Sequence, residues 1–184
     1  MIQLHCTKKL AQKLPMDSDG RLSSKFAYPY RDQPSTTLGS WHANLIVVQR
    51  YQCVLMVHDS TRFPVFLPAL RQADFRDFDH RFCDAFMNTL LKCGADNALM
   101  EAGDAALASL VCDTRCDRSV QGTMNQMVQD MRWMFEIDQV PVAEITGYRV
   151  GAFLADRPCG INRGKQTVWP VAAMRRLLLD APAP

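Results

Sequence analysis

Two short segments of the chain place histidine close to a carboxylate or an amide. Residues 41–44 read Trp-His-Ala-Asn, and residues 58–59 read His-Asp. Imidazole titrates closest to neutral pH, and a neighbouring carboxylate can make it a general base. His42, His58 and Asp59 are therefore candidate catalytic residues. If His58 and Asp59 are consecutive on a strand, their side chains point to opposite faces and meet only in a turn conformation.

A third polar segment, residues 113–119, reads Asp-Thr-Arg-Cys-Asp-Arg-Ser and precedes a long amphipathic pattern. The first turn of a helix has unpaired backbone N–H groups and a partial positive charge. The arginines and hydroxyls of this segment would complete a site for phosphate or carboxylate at that helix start. The alternative is structural, with Asp113 and Asp117 capping the helix and pairing with the two arginines.

Basic and amide side chains elsewhere extend this candidate anion-binding set. The full set is Lys8, Lys9, Asn44, Arg50, Arg115, Arg118, Ser119 and Asn125. We expect Arg118 to anchor the start of the helix and to face Asn44 or Asp59, because its planar fork holds a carboxylate or a phosphate in two bonds at once.

Motifs for metals and cofactors are missing from the sequence. His80 with Cys83, and Cys112 with Cys116, have helix-like spacings, but the Cys-x2-Cys pairs typical of zinc sites do not occur. There is also no Gly-x-Ser-x-Gly elbow, no phosphate loop and no Gly-x-Gly-x-x-Gly. The sequence predicts no metal site and no cofactor. Seven cysteines without close pairs are expected to be reduced thiols, buried as small apolar residues.

The elements that position these residues are predicted from hydrophobic periodicity. Alternation over residues 2–6 indicates a half-buried strand, and Thr7 is a suitable cap for a short helix after it. Pro64 lacks an N–H donor, so its strand is expected at an edge of the sheet. Three β-rich runs with short connections predict an antiparallel meander, at residues 43–48, 53–57 and 63–67.

The remainder of the chain is predicted to be mainly helical. The stripe from Met124 to Phe135 is interpreted as core, with a partner-binding groove as the alternative. Strands first and helices later predict an α+β fold, an antiparallel β-meander with helices packed on one face and a helical C-terminal half. The predicted helices cover residues 75–93, 99–110, 120–135, 142–155 and 170–179.

Length and composition predict one globular domain over residues 1–184. Hydrophobic residues make up 48% of the chain and charged residues 22%, close to the averages for soluble domains. No apolar run is long enough to span a membrane, and the first ten residues lack the apolar core of a signal peptide, so we expect a cytoplasmic protein. Residues 16–40 are predicted to form a long loop and residues 181–184 a frayed tail.

Several short motifs together resemble an uncharacterised bacterial family of domains of unknown function, also seen in some plasmid ORF-three-like proteins. The motifs occur in order over residues 1–135: Cys-Thr-Lys-Lys-Leu from Cys6, Trp-His-Ala-Asn-Leu from Trp41, the isolated Arg50, and Arg-Ser-Val-x-Gly-x-Met-Asn from Arg118. The resemblance implies no established activity, but it suggests a link with mobile elements. The residues that match the family pattern are His42, Asn44, Arg50, Arg118, Ser119 and Asn125, and both fold maintenance and a shared site remain open for them.

We expect a cytoplasmic binding protein that recognises an anionic partner, either nucleic acid or an acidic protein, in a regulatory or mobile-element role. Residues 1–31 and 141–184 are basic and residues 74–104 are acidic, but there is no helix-turn-helix or zinc-finger signature. Any binding to nucleic acid is therefore expected to be salt-dependent and weakly sequence-specific.

The alternative is a hydrolase or phosphoryl-transfer enzyme in which His42 or His58 is the general base and Arg118 stabilises the developing negative charge. A cleft that unites His42, Arg50, Asp59 and Arg118 would favour the enzyme, whereas arginines spread over a convex face would favour binding. A partner-recognition module or a homodimer is a third alternative, which would present an exposed apolar patch near the methionine stripe.

Overall fold

A computed structural model describes residues 1–22, 36–161 and 164–180. The strands are β1 (Ile2–Cys6), β2 (Ser40–Val48), β3 (Tyr51–His58), β4 (Pro64–Leu70), β5 (Leu110–Asp113), β6 (Cys159–Ile161) and β7 (Gln166–Val168). The helices are α1 (Lys8–Ala11), α2 (Phe78–Lys92), α3 (Asn97–Ala106), α4 (Arg118–Asp138), α5 (Gly147–Ala155) and α6 (Pro170–Leu179), with a 3-10 helix at Gln72–Asp77 before α2.

Five of the strands form one sheet in the order β4-β3-β2-β1-β5. β2, β3 and β4 pair antiparallel, so the predicted meander is confirmed. Pro64 begins β4 at an edge of the sheet, as expected from its missing donor. β1 lies between β2 and β5 and is parallel to both. The sheet is therefore mixed, with a meander on one side and a parallel part on the other.

The predicted helix over residues 99–110 is too long, and a strand was missed. α3 ends at Ala106, and Leu110–Asp113 forms β5 instead. Four residues with alternating burial are too few to be separated from the neighbouring alanine-rich helical pattern. The strand is specified by its pairing with β1, over a sequence separation of 108 residues, and periodicity within the segment does not report that pairing.

Helices pack against both faces of the sheet, which corrects the prediction of a single covered face. Val54 and Met56 of β3 belong to a core that includes Phe82 of α2. Leu55 and Val57 belong to a second core, formed with methionines of α4. Because alternate residues of a strand point to opposite faces, the two cores lie on opposite sides of the sheet. The α+β class and the helical C-terminal half are confirmed.

α4 is a long helix whose start and buried face match the sequence prediction. Oδ1 of Asp117 accepts hydrogen bonds from the backbone N–H groups of Ser119 at 2.6 Å and Val120 at 3.3 Å, so Asp117 is the N-cap. The methionine stripe is core, as interpreted from its spacing. Its buried members are Met124, Met127, Met131 and Met134.

α5 begins at Gly147 rather than at residue 142, so the predicted helix over 142–155 is shorter than expected. The N–H of Val142 donates to Oε1 of Gln49 at 2.7 Å, which holds the preceding segment as a turn against the β2–β3 connection. A Cβ on Gly147 would lie 2.1 Å from the carbonyl oxygen of Phe66. The helix therefore starts in direct contact with the backbone of β4, an approach that only glycine permits.

Several smaller predictions can be compared with the described residues. Of the predicted 16–40 loop, residues 23–35 lie outside the described residues, as does the predicted tail at 181–184. None of the seven cysteines forms a disulfide; five of them are buried, Cys93 is half-buried and Cys116 is exposed. Among the helices of the described ranges, none is long and apolar enough to cross a membrane.

Candidate functional site

Three polar side chains lie in a row across the sheet because the strand register aligns them. His5 of β1 pairs with His42 on β2 and with Asp113 on β5. The imidazole rings of His5 and His42 are 4.9 Å apart between centroids. Asp59, in the turn after β3, places Oδ1 2.7 Å from Nδ1 of His42. Two histidine–aspartate pairs therefore lie side by side where β1, β3 and β5 end.

His42 is fully hydrogen-bonded in this arrangement. The backbone N–H of Asp117 donates to Nε2 at 2.8 Å, so Nε2 carries no proton. The proton must then be on Nδ1, from which it is donated to Asp59. His42 is thus a neutral, buried link between the β3–β4 turn and the cap of α4. Neither of its nitrogens is available to take a proton from a substrate in this conformation.

His5 differs from His42 in having one nitrogen outside hydrogen-bonding distance of a carboxylate. Its Nδ1 lies 2.6 Å from Oδ1 of Asp113, whereas its Nε2 is 4.0 Å from Oδ2 of Asp59. Burial disfavours ionisation of Asp113, but hydrogen bonds from His5 and from the backbone N–H of Arg115 outweigh it and lower the pKa of Asp113. An ionised Asp113 orients His5 so that Nε2 is the nitrogen left for a ligand or a proton.

A cavity of about 310 Å³ adjoins these side chains, and we call it the histidine cavity. It contains four members of the predicted anion-binding set, namely Lys8, Asn44, Arg115 and Asn125. The other lining residues are His5, Cys6, Thr7, His42, Ala43, Thr114, Cys116, Gln121 and Met124. Cations and amides from α1, β2, the loop after β5 and α4 therefore surround the histidine–aspartate row.

The remaining members of the predicted anion-binding set lie elsewhere. Lys9 is exposed on α1 outside the cavity lining. Arg50 lies in the β2–β3 turn beyond Val48, and the six residues of strand from His42 to Val48 span about 20 Å at about 3.3 Å per residue. Arg118 and Ser119 line a different cavity. His42 and Asp59 are thus together, but Arg50 and Arg118 lie apart from them, so the four residues named for an enzymatic cleft do not share one.

His58 holds the β3–β4 turn from the opposite face of the sheet. Its Nε2 donates to the carbonyl oxygen of Leu38 at 3.1 Å, and its Nδ1 accepts the N–H of Thr61 at 3.1 Å. Burial lowers the pKa of His58 to about 4. Trp41 packs edge-on against the ring, with centroids 5.0 Å apart. The environment therefore keeps His58 neutral, and Asp59 is paired with His42 rather than with His58.

The second cavity, of about 570 Å³, lies on the other side of the first turns of α4 and is called the arginine cavity. It is lined by Arg118, Ser119, Gly122, Thr123, Gln126, Met127, Asp130, Leu154, Arg157, Pro158, Cys159, Gly160 and Gly164. Arg118 is exposed there and does not contact Asn44 or Asp59, which corrects its predicted position. The arginine that holds the start of α4 is Arg62, whose Nη2 donates to Oγ of Ser119 at 3.1 Å.

Sequence reasoning missed two residues of these sites, His5 and Arg62. A weak signal existed for His5, which lies on the polar side of the alternating 2–6 strand. Its partner Asp113 was identified only as part of the 113–119 segment, because β5 and its pairing with β1 were not predicted. Arg62 lies in a turn at φ +58°, a position where no local pattern indicates a buried charge. Within the described residues, no three histidine, cysteine or acidic side chains come together in a group that could hold a metal ion.

Comparison with known protein families identifies a match over most of the chain. The sequence profile of a family described as Domain of unknown function (DUF6933) matches residues 3–173, nearly the whole chain. No curated protein and no solved structure matches. The resemblance to a family of unknown function, inferred from short motifs, is therefore confirmed.

Proposed function

We propose, for a chain that belongs to the DUF6933 family of domains of unknown function, that the histidine cavity binds a small phosphate-bearing ligand. The observation that carries the proposal is the set of residues around one concavity: Lys8, Arg115, Asn44 and Asn125, all with hydrogen-bond donors, line it beside His5. Charge-assisted hydrogen bonds to phosphate oxygens come from these groups.

Two carboxylates adjoin the cavity and keep their negative charge, which the cations of Lys8 and Arg115 offset. Asp113 accepts from His5 and lies 3.5 Å from Nε of Arg115. Asp59 accepts from His42. The ammonium of Lys8 and the Nη groups of the exposed Arg115 are then available to bind the ligand.

Size and position support a small ligand. Small-molecule pockets run from about 300 to 1,000 Å³, and the histidine cavity is at the lower end of that range. It also lies beyond the carboxyl ends of the parallel strands β1 and β5, which is where ligands bind in many sheets with parallel strands.

Isothermal titration calorimetry with inorganic phosphate and with phenyl phosphate tests the proposal and separates free phosphate from a phosphate ester. We expect Lys8→Gln and Arg115→Gln each to weaken binding by about tenfold, since one charge-assisted hydrogen bond contributes about 1.5 kcal/mol. Lys9→Gln is the matched control, because Lys9 is the exposed neighbour of Lys8 outside the cavity lining. Absence of binding to the unmodified protein, or equal loss in Lys9→Gln, would contradict the proposal.

A second candidate function, hydrolysis of a phosphate monoester, is favoured by the orientation of His5. Asp113 fixes the imidazole through Nδ1, which leaves Nε2 to accept a proton from water as the water oxygen attacks phosphorus. The P–O ester bond then breaks, the alkoxide leaves with the electron pair, and it takes the proton from Nε2 of His5, which returns to its starting state. In this proposal the general base is His5, whereas the sequence suggested His42 or His58, both of which have their two nitrogens engaged.

Release of p-nitrophenol from p-nitrophenyl phosphate measures this activity. We expect His5→Asn to abolish turnover while phenyl phosphate still binds, because Lys8 and Arg115 are unchanged. Binding by the unmodified protein without any turnover would refute catalysis and leave the binding function in place.

A further inference from the structure

Strand β2 has an edge that no strand of the described ranges covers over its second half. β1 pairs with β2 only from Ser40 to Ala43, whereas β3 pairs with it as far as Val48. After Cys6 the chain leaves the sheet and forms α1. Residues 44–48 of β2 are therefore paired with a strand on one side only. Such an edge is a template on which another extended chain can pair.

The backbone groups that point off this edge are identified by the pairing next to it. The carbonyl oxygen of Ala43 accepts from the N–H of Thr7 at 3.0 Å, on the side of β1. Every second residue of a strand points its N–H and C=O to the same edge, so those of Leu45 and Val47 point to that side too. Among the described residues, none forms a backbone hydrogen bond with them there. Two residues of the edge are thus left to pair with an added chain.

The open edge runs between two cavities. Its first residue, Asn44, lines the histidine cavity. Its last two residues line a third cavity, of about 590 Å³, which we call the valine cavity. Val47 is 61% exposed there, although it is apolar. The valine cavity is lined by Val47, Val48, Gln49, Arg132, Phe135, Glu136, Gln139 and Pro141.

Helix α4 runs alongside the edge and forms one wall of the space above it. Asn125 lines the histidine cavity and Arg132 lines the valine cavity, seven residues later. Seven residues of helix span about 10 Å at about 1.5 Å per residue. On β2, Asn44 and Val47 are three residues apart, which is also about 10 Å at about 3.3 Å per residue. Helix and strand therefore connect the same two cavities over the same distance, and we call the space between them the edge trough.

We propose that the edge trough binds an extended peptide that carries a phosphorylated side chain, an inference that rests on the phosphate binding proposed for the histidine cavity. The phosphate lies in the histidine cavity, where Lys8 and Arg115 supply positive charge. The rest of the peptide pairs with Leu45 and Val47 as an added strand. In this mode of recognition, main-chain hydrogen bonds give affinity and alternate side chains give specificity.

Charge complementarity favours a phosphopeptide over a second copy of this chain. Edge-to-edge pairing of two copies would bring residues 44–48 of one protomer against the same residues of its partner. That segment contains no acidic residue, so it would place no negative charge beside the cations of the histidine cavity. A phosphorylated side chain at one end of an extended peptide supplies that charge.

Calorimetry with two phosphotyrosine peptides, one for each strand direction, tests the inference. Their sequences are pTyr-Val-Thr-Val-Thr and Thr-Val-Thr-Val-pTyr, both acetylated and amidated. We expect one of them to bind at least tenfold more tightly than phenyl phosphate, because main-chain hydrogen bonds add to the phosphate contact. Its unphosphorylated form should bind at least tenfold more weakly than the phosphopeptide.

Backbone N-methylation of the tighter-binding peptide separates main-chain pairing from contacts of the side chains. Alternate N–H groups of a paired strand face the neighbouring strand, so methylating both valines and methylating both threonines should have unequal effects. One version should lose at least tenfold in affinity, and the other should bind as the parent phosphopeptide does. Equal affinities for the parent and both methylated versions would overturn the inference.

Val47→Pro removes an N–H donor of the open edge, and Val47→Ala is the matched control that keeps it. Proline is tolerated on an edge strand where its nitrogen faces outward. Val47→Pro should bind the phosphopeptide at least tenfold more weakly than Val47→Ala does, while both variants bind phenyl phosphate normally.

The inference and the proposed function fail in different ways. Phenyl phosphate binding without a gain in affinity from either peptide would overturn the inference and leave the proposed function in place. Equal binding of the phosphorylated and unphosphorylated peptides would overturn both. A dimer of the unmodified protein that Val47→Pro dissociates, measured by analytical ultracentrifugation, would assign the edge to a second copy and would also overturn the inference.

Discussion

Acid is expected to destabilise the protein through His58 in a defined pH window. Burial lowers the pKa of His58 to about 4, whereas the unfolded chain keeps the ordinary value of about 6.5. Between these values the unfolded state binds a proton at His58 and the folded state does not. The stability that comes from neutral His58 is therefore fully present above about pH 6.5 and is lost as the pH falls toward 4. At pH 5 the loss is about 2 kcal/mol relative to pH 7.5.

Urea denaturation followed by circular dichroism at several pH values between 7.5 and 5 measures this effect. His58→Asn is the informative variant, because its Oδ1 can accept the N–H of Thr61 in place of Nδ1 but does not titrate. The free energy of unfolding of the unmodified protein should fall by about 2 kcal/mol more than that of His58→Asn. Equal pH dependence in the unmodified protein and His58→Asn would refute the reasoning.

Three further predictions follow from the hydrogen bonds and exposures of the site. His42→Ala removes the hydrogen bonds to Asp59 and to the Asp117 N–H, so the free energy of unfolding measured with urea should fall by about 2–4 kcal/mol. A decrease below about 0.5 kcal/mol would mean that these bonds do not hold α4. Cys116 is the exposed thiol, so Ellman's reagent should label it first. Phenyl phosphate should slow that labelling, because Cys116 lines the histidine cavity. If Cys116→Ser is labelled as fast as the unmodified protein, the first label is not on Cys116 and the prediction is wrong. Arg118→Lys should change the melting temperature by less than about 2 °C, because Arg118 is exposed and pairs with none of the described residues; a larger drop would restore a structural role for it.

The parts of the fold that the sequence predicted are those specified by nearby residues. The meander depends on short connections between apolar runs, and the core face of α4 depends on spacing within one helix. Asp117 was recognisable as a cap because capping joins residues two and three positions apart. The sequence also indicated that helices cover both faces of the sheet, because residues 53–57 are apolar without interruption, as in a strand that is buried on both sides. The prediction weighted element order more heavily than that run.

The candidate sites could be predicted only in part, because their contacts join distant segments. His5 and Asp113 are 108 residues apart, and the N–H of Asp117 reaches His42 over 75 residues. His42, Asp59 and the cations of the histidine cavity were identified by residue type alone, and His5 was not. Arg62 lies 57 residues from its partner Ser119, in a segment whose composition indicates only a turn.

The start of α4 explains why both cavities lie where they do. On one side the N–H of Asp117 donates to His42, and on the other Oγ of Ser119 accepts from Arg62. These two bonds attach the first turn of the helix to the sheet without using the arginines of the 113–119 segment. The structural and the anion-binding interpretations of that segment are therefore compatible. Asp117 caps the helix, while Arg115 and Arg118 remain exposed, each at the mouth of a different cavity.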